Sequence, residues 1–402
     1  MAILILLDDF SPKSSKVSPK MMKELALELF HRGNRVIVIA PNEEPNAKKL
    51  EINHDQGLEI WRFKSGPLKN IPHIKRGINE SLLPFRGWQA IKRSLKNVDI
   101  SGIIFYSPSI FMGPLVKRIT TGTTIPSYMV LRDFFPQWLI DIGMLSEKSL
   151  ITRYFKFFEK MNYQTATKIG VMSPNNLSLF QKLHPEFSEK AEVLYNWTNP
   201  TVDQITTGFS SIRKRLNLYN KTIFFYGGNI GHAQDMANLM RLAIQLKDHP
   251  TAHFLFIGEG DEVKLILETA QTHALKNFSY LPYVSQEEYI SILSEIDIGL
   301  FSLAANHTAH NFPGKVFGYM AHKIPVLGSV NSGNDLIDIL NTNEAGLISV
   351  NGEDDLLYKN ACNLLESEQL RNKIAQNGLD LLNHQFSVKK AATQILQSMG
   401  LN

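Results

Sequence analysis

The stretch MAILILLDDFSPKSSKVSPKMMKELALELFHRGNRVIVIA, residues 1–40, decides the fold class. Ile3–Leu7 is an unbroken apolar run of strand length that stops at Asp8-Asp9, as a strand buried on both faces reads. A helix is predicted from about Ser18 to Arg32, because Met21, Met22, Leu25, Ala26, Leu29 and Phe30 recur at helical spacing along one side. Gly33 suits the left-handed position that ends such a helix. A second buried strand follows at Val36–Ala40. Strand, helix and strand in this order belong to a parallel sheet wrapped by helices.

The same alternation continues to the end of the chain. Further strands are predicted at Gly102–Tyr106, Ser127–Leu131, Lys168–Met172 and Val193–Tyr195. A second series follows at Thr222–Tyr226, His253–Ile257, Asn277–Leu281, Asp297–Phe301, Pro325–Gly328 and Gly346–Val350. The break falls near Asn196–Pro200, where Pro200 holds Asn199 extended. At 402 residues, two domains are expected. They are an N-terminal Rossmann-like domain over 1–196 and a C-terminal one over 197–385, with a last helix over 386–402 packing back on the first. Ligands of such sheets bind beyond the carboxyl ends of the strands, so a cleft between the halves is the expected site.

Composition narrows the function. A single cysteine, Cys362, leaves no disulfide within the chain and points to a reducing compartment. No apolar run reaches the roughly 18 residues of a membrane span. The N-terminus lacks a basic start and a cleavage site, so a cytoplasmic protein is expected. A net charge of +4 is too small to argue for nucleic acid. Between Arg62 and Lys96, however, nine lysines and arginines face Glu80 alone. Trp61, Phe63, Leu82, Leu83, Phe85 and Trp88 are interleaved with them. The segment 61–96 therefore reads either as an anchor on an anionic membrane surface or as the solvated face of an ordinary domain.

Three strand–turn–helix junctions in the second half suit a nucleotide. Tyr226-Gly227-Gly228-Asn229-Ile230-Gly231 lies between a strand and a helix, where glycines let backbone N–H groups approach a phosphate. It is also compatible with a plain tight turn, and it is too short for a dinucleotide fingerprint. Phe312-Pro313-Gly314-Lys315-Val316 opens a helix with proline at its start, glycine beside it and a lysine near the exposed N–H groups. A diphosphate placed there needs no metal. Between the two, the loops holding Gly258-Glu259-Gly260 and the later Tyr283 suit a base or ribose lying across their backbone, and either loop alone is simply a turn. In the first half, Arg132-Asp133-Phe134-Phe135-Pro136-Gln137-Trp138 follows a strand with an ion-pair-capable couple beside aromatics. That suits gripping a sugar hydroxyl and a lipid-linked acceptor, or an Asp turn beside core aromatics. Asp8-Asp9 sits at another strand end, but adjacent carboxylates there point apart and make a poor metal site.

At these residues the chain resembles the retaining glycosyltransferases of family 4, which have the GT-B fold of two Rossmann-like domains facing a central cleft. The closest likeness is to bacterial O-antigen and capsule transferases that add N-acetyl-L-fucosamine. It rests on Leu6-Leu7-Asp8-Asp9-Phe10, on Arg132–Trp138, on Gly170-Val171-Met172-Ser173-Pro174 and on Phe312-Pro313-Gly314-Lys315. The resemblance implies transfer of an amino-deoxyhexose from a UDP-sugar to an undecaprenyl-diphosphate-linked saccharide, at the inner face of the plasma membrane. It implies no metal and no cofactor beyond the donor. Gly228, Asn229, Gly231, Gly314, Lys315 and Val316 would then hold phosphates, with Asp133 on the acceptor side and His310 beside the donor sugar.

Two departures stand out. Where the family carries a glutamate for the donor sugar, seven residues and a second glutamate for the ribose hydroxyls, this chain has His310 and Gly318. Where the family places an arginine and a lysine in and after the first glycine turn, Asn229 stands and no lysine follows in Ile230–Leu239. The positive charge must then come from Lys315, His310, His232 or Arg132. Two other readings use the same donor cleft: a sugar-nucleotide epimerase or hydrolase, and a non-catalytic nucleotide-sugar-binding partner.

Overall fold

The computed structural model describes residues 1–11, 17–68, 71–107, 109–141, 143–199, 208–306 and 312–401. The chain divides into two units, Met1–Asn199 with Val388–Asn402, and Pro200–Ser387. Both are Rossmann-like α/β units.

Unit 1 contains β1 (Ala2–Leu6), β2 (Arg35–Asn42), β3 (Leu50–Asp55), β4 (Leu58–Lys64), β5 (Ile100–Ser107), β6 (Ser127–Leu131), β7 (Lys168–Val171) and β8 (Ala191–Val193). They form one sheet in the order β3-β4-β2-β1-β5-β6-β7-β8. All neighbours are parallel except β3, which runs antiparallel to β4 at the edge. β1 is central and every residue in it is buried, as its unbroken apolar run requires. The helix Val17–His31 ends as the sequence predicts: Gly33 takes φ +87°, its N–H donates to Phe30 O at 2.9 Å, and Asn34 N–H reaches Leu29 O at 3.2 Å. This helix and the last one, Val388–Ser398, cover one face of the sheet. Leu83–Leu95, Gly113–Thr120, Leu150–Thr165 and Pro174–Leu183 cover the other.

The hairpin β3–β4 is absent from the sequence expectation, and it corrects part of the 61–96 reading. Trp61 and Phe63 are core residues of β4, 2% and 0% exposed. Leu83 is buried as well, and Trp88 is half-buried beneath Arg118, 5.5 Å from its ring. Of the anchors named in that segment, only Leu82 and Phe85 face outward.

Unit 2 contains β9 (Thr222–Gly227), β10 (Ala252–Ile257), β11 (Phe278–Leu281), β12 (Ile298–Ser302), β13 (Val326–Val330) and β14 (Leu347–Val350). They form an all-parallel sheet in the order β11-β10-β9-β12-β13-β14. The order reverses direction between β9 and β12, and a sheet of this kind binds ligands beyond the strand ends at such a switch. The glycine turn after β9 and the helix Gly314–Ala321 after β12 both open there.

Candidate functional site

The site in unit 2 is built from two segments 87 residues apart. After β9 the chain turns through Gly228 at φ +120°, a conformation open to glycine. Its N–H donates to Ile257 O at 2.9 Å, and Ile230 N–H donates to Glu259 O at 2.9 Å. The loop after β10 returns the contact, with Glu262 N–H on Ile230 O at 3.0 Å. Gly258 and Gly260, at φ +149° and +154°, lie in this zipper, and a β-carbon on them would collide with Gly228 O and Ile230 O. These two glycines serve loop-to-loop packing rather than the approach of a ligand. Glu259 and Tyr283 extend outward, the latter 71% exposed, so neither is held in place by packing.

The second segment is the helix Gly314–Ala321. Pro313 precedes it in extended conformation, and Val316 N–H already bonds Pro313 O at 3.0 Å. The first N–H groups of a helix lack partners within it, and the dipole adds partial positive charge. Buried Tyr319 fixes the helix against the sheet by donating to Phe225 O and Leu300 O, both at 3.2 Å. Phe312 and Val316 are buried, and Phe312 packs on Phe317 and Phe386 with centroids 6.4 and 5.7 Å away. They hold the helix start and do not face a ligand. Gly314 is exposed with open space around it.

Lys315 brings the two segments together. Its Nζ lies 3.4 Å from the centroid of the buried Tyr226 ring. It also stands 3.7 Å from where a β-carbon on Gly228 would be. A desolvated cation over a ring gains roughly 2 kcal/mol, less than the several kcal/mol that removing the charge from water costs. Burial accordingly holds the amine well below the ordinary lysine pKa. A diphosphate between the glycine turn and the helix start would reverse that balance.

Among the described residues, the other candidates for positive charge are committed elsewhere. His232 bonds Glu262 through Nδ1 at 2.8 Å and faces Asp261 through Nε2 at 3.2 Å, and these carboxylates, Glu262 first, raise its pKa. Asn229, in the family's arginine place, donates from Nδ2 to Gln234 Oε1 at 2.7 Å. His310 lies outside the described residues. Gly231 is buried beside Asn229 and Asp261, which a β-carbon there would crowd. Gly318 is half-buried, yet a β-carbon on it would meet nothing within 4 Å, so the place of the second glutamate is open space.

In unit 1, Arg132 takes a different part from the sugar-gripping one expected. It is buried and donates to Leu131 O and Gly170 O at 3.2 Å and to Tyr195 O at 3.3 Å. Its guanidinium also stacks 5.4 Å from the Trp197 ring centroid. It clamps the chain where β6 and β7 end and where β8 runs out, and desolvation lowers its pKa to about 10. Asp133 next to it is half-buried, and burial pushes its pKa from 3.8 to about 6, against the Phe134 N–H. It is the poised carboxyl of this sheet edge. Asp9 accepts from Ser11 N–H at 3.1 Å. Among the described residues no group of three or more His, Cys, Asp or Glu gathers to hold a metal.

Three supporting residues were not singled out from sequence. Tyr226 supplies the ring under Lys315, Tyr319 pins the helix, and Glu262 accepts from Met236 N–H at 2.9 Å to cap the helix after the glycine turn. Only Tyr226, an aromatic directly before a glycine pair, carried a local signal.

Residues 209–380 match the family described as Glycosyl transferases group 1. The chain is similar to WcaI of Escherichia coli, a putative colanic acid biosynthesis glycosyl transferase, at 22% identity over 75% of this chain and 76% of that one. WbjE of Pseudomonas aeruginosa, a probable glycosyltransferase, is 24% identical over 54% of each chain. In fold, HepE of Anabaena, solved in complex with UDP, superposes with a TM-score of 0.66 at 14% identity over the full length of both. Residues 209–380 therefore form a glycosyl transferases group 1 domain, and the chain that carries them is a glycosyltransferase of the GT-B type.

Proposed function

We propose that this enzyme transfers an amino-deoxyhexose, N-acetyl-L-fucosamine or a close relative, from its UDP form to an undecaprenyl-diphosphate-linked saccharide during synthesis of a bacterial surface polysaccharide. The observation that carries the donor half is the convergence of Lys315 with Gly228 over the Tyr226 ring. The name of WcaI supports a role in polysaccharide synthesis, and the UDP in HepE supports the nucleotide. The sugar rests on the sequence resemblance set out above.

In this reading the diphosphate lies against the turn Gly228–Gly231 and the start of Gly314–Ala321. Its arrival favours the charged form of Lys315, and the resulting ion pair stabilises charge as the sugar bond breaks. Phosphate charge is met by a lysine, N–H groups and a helix end, so the reaction runs without a metal. Asp133 orients the acceptor hydroxyl, whose proton passes to the departing diphosphate on the same face, with retention. The chain's contribution is orientation and charge stabilisation.

The test is a screen of UDP-sugars with a purified lipid-linked acceptor, following UDP release. Release that needs both a UDP-amino-deoxyhexose and the acceptor supports the proposal. Release without any acceptor would replace it with the epimerase or hydrolase reading, and donor binding without transfer would replace it with the non-catalytic one.

A further inference from the structure

Two helical stripes on unit 1 remain unexplained by the donor site. On the near-continuous helical run that includes His73–Ser81 and Leu83–Leu95, the side chains Ile78, Leu82 and Phe85 recur at helical spacing and are 57%, 38% and 62% exposed. On Leu150–Thr165, the side chains Leu150, Tyr154 and Phe157 repeat that spacing and are 81%, 42% and 58% exposed. Residues of this size at i, i+4 and i+7 lie on one face of a helix. The helices share one layer of unit 1, with Gly113–Thr120 packed between them. They also touch directly, because Tyr154 Oη donates to Ser81 Oγ at 2.6 Å. The two stripes therefore form one surface rather than two.

Charge identifies what covers it. Residues 73–96 and 144–160 together carry ten lysines and arginines against three glutamates. That excess is larger than the net +4 of the whole chain, so the remainder is net acidic. Lys75, Arg76, Arg93, Lys148, Arg153 and Lys160 are exposed on these elements. Large apolar side chains ringed by bases match a lipid surface with anionic headgroups. A second copy of the chain would instead place these like charges against each other. Topology adds a position. Helices that return antiparallel to a parallel sheet begin at the carboxyl edge of its strands. The first stripe joins the end of His73–Ser81 to the start of Leu83–Leu95 after β4, and the second opens Leu150–Thr165 after β6. Asp133 lies at the same edge.

We infer that the surface formed by Ile78–Phe85 and Leu150–Phe157 is the face by which unit 1 docks on an anionic lipid bilayer. This deepens the proposed function, since a lipid-linked acceptor is presented at such a surface. It replaces the core residues Trp61 and Phe63 as anchors and adds a helix outside 61–96.

The test is sedimentation of the full chain with vesicles of phosphatidylcholine alone and of equal parts phosphatidylcholine and phosphatidylglycerol, without donor or acceptor. The double variant Phe85→Ser/Phe157→Ser removes two exposed rings, and its thermal unfolding and UDP binding should match wild type. Wild type should partition onto the anionic vesicles and not the neutral ones, with at least a tenfold loss in the double variant. Equal partition of variant and wild type would overturn the inference, as would no wild-type binding to anionic vesicles. A wild-type dimer that the double variant dissociates would assign the face to a second copy and overturn it too. Because no donor is present, each outcome is separate from failure of the transferase reading.

Discussion

Replacing Gly318 with glutamate restores the carboxylate that related enzymes place at this point of the helix. A β-carbon there enters open space, so the backbone need not move. Gly318 lies inside the helix Gly314–Ala321, and removing a glycine from a helix interior gains about 0.5–1 kcal/mol. A negative charge in the last turn opposes the dipole by about 0.3–1 kcal/mol. These terms nearly cancel, and thermal unfolding should shift by no more than a few degrees. Binding should change far more. A hydrogen bond to a charged group contributes about 1.5–3 kcal/mol net, equal to roughly a tenfold to hundredfold gain in affinity for a ligand with free ribose hydroxyls. Calorimetric titration of Gly318→Glu should therefore show tighter UDP binding, with no gain for the 2′,3′-dideoxy analogue. Unchanged or weaker UDP binding by a normally folded Gly318→Glu protein would refute the placement of the ribose beside this helix.

Two further outcomes follow from unit 1. Asp133→Asn should stabilise the protein at neutral pH while lowering transfer. Burial raises the Asp133 pKa from 3.8 to about 6, so the folded state holds a proton that the unfolded state has released. Its ionised form therefore costs stability above the folded pKa, up to about 3 kcal/mol from the size of the shift, and nothing below the unfolded one. Thermal melts of Asp133→Asn and wild type should differ above about pH 6 and converge near pH 4. Arg132→Lys should cost at least about 2 kcal/mol in a denaturant titration, since a lysine cannot reach three carbonyls with one planar fork. An equally stable Arg132→Lys enzyme with impaired transfer would instead return Arg132 to the substrate.

Local patterns carried the architecture. Apolar runs such as Ala2–Leu6 and Ala252–Ile257 are buried on both faces of parallel sheets, and such strands announce themselves by composition. β4 did not, because Glu59, Arg62 and Lys64 interrupt Leu58, Ile60, Trp61 and Phe63 near the sheet edge. Its aromatics read as a basic surface segment until the antiparallel β3 gave them a partner. In Leu150–Thr165 the aromatics recur as they would in a core, yet Tyr154 and Phe157 remain 42% and 58% exposed. Exposure depends on neighbours distant in sequence. The donor site divides in the same way. Lys315 and the glycine turn were each visible as local motifs, but their meeting over Tyr226 is a tertiary fact. Gly258 and Gly260 look like a ligand loop in sequence and are spent on packing against Gly228 and Ile230.

Lys315 is assigned to hold the donor diphosphate between the glycine turn and the helix start. The direct measurement is calorimetric titration of wild type and Lys315→Ala with UDP, with the thermal unfolding of both compared. Binding at least tenfold weaker is expected in a normally folded Lys315→Ala protein. Equal affinity in the two proteins would contradict the assignment.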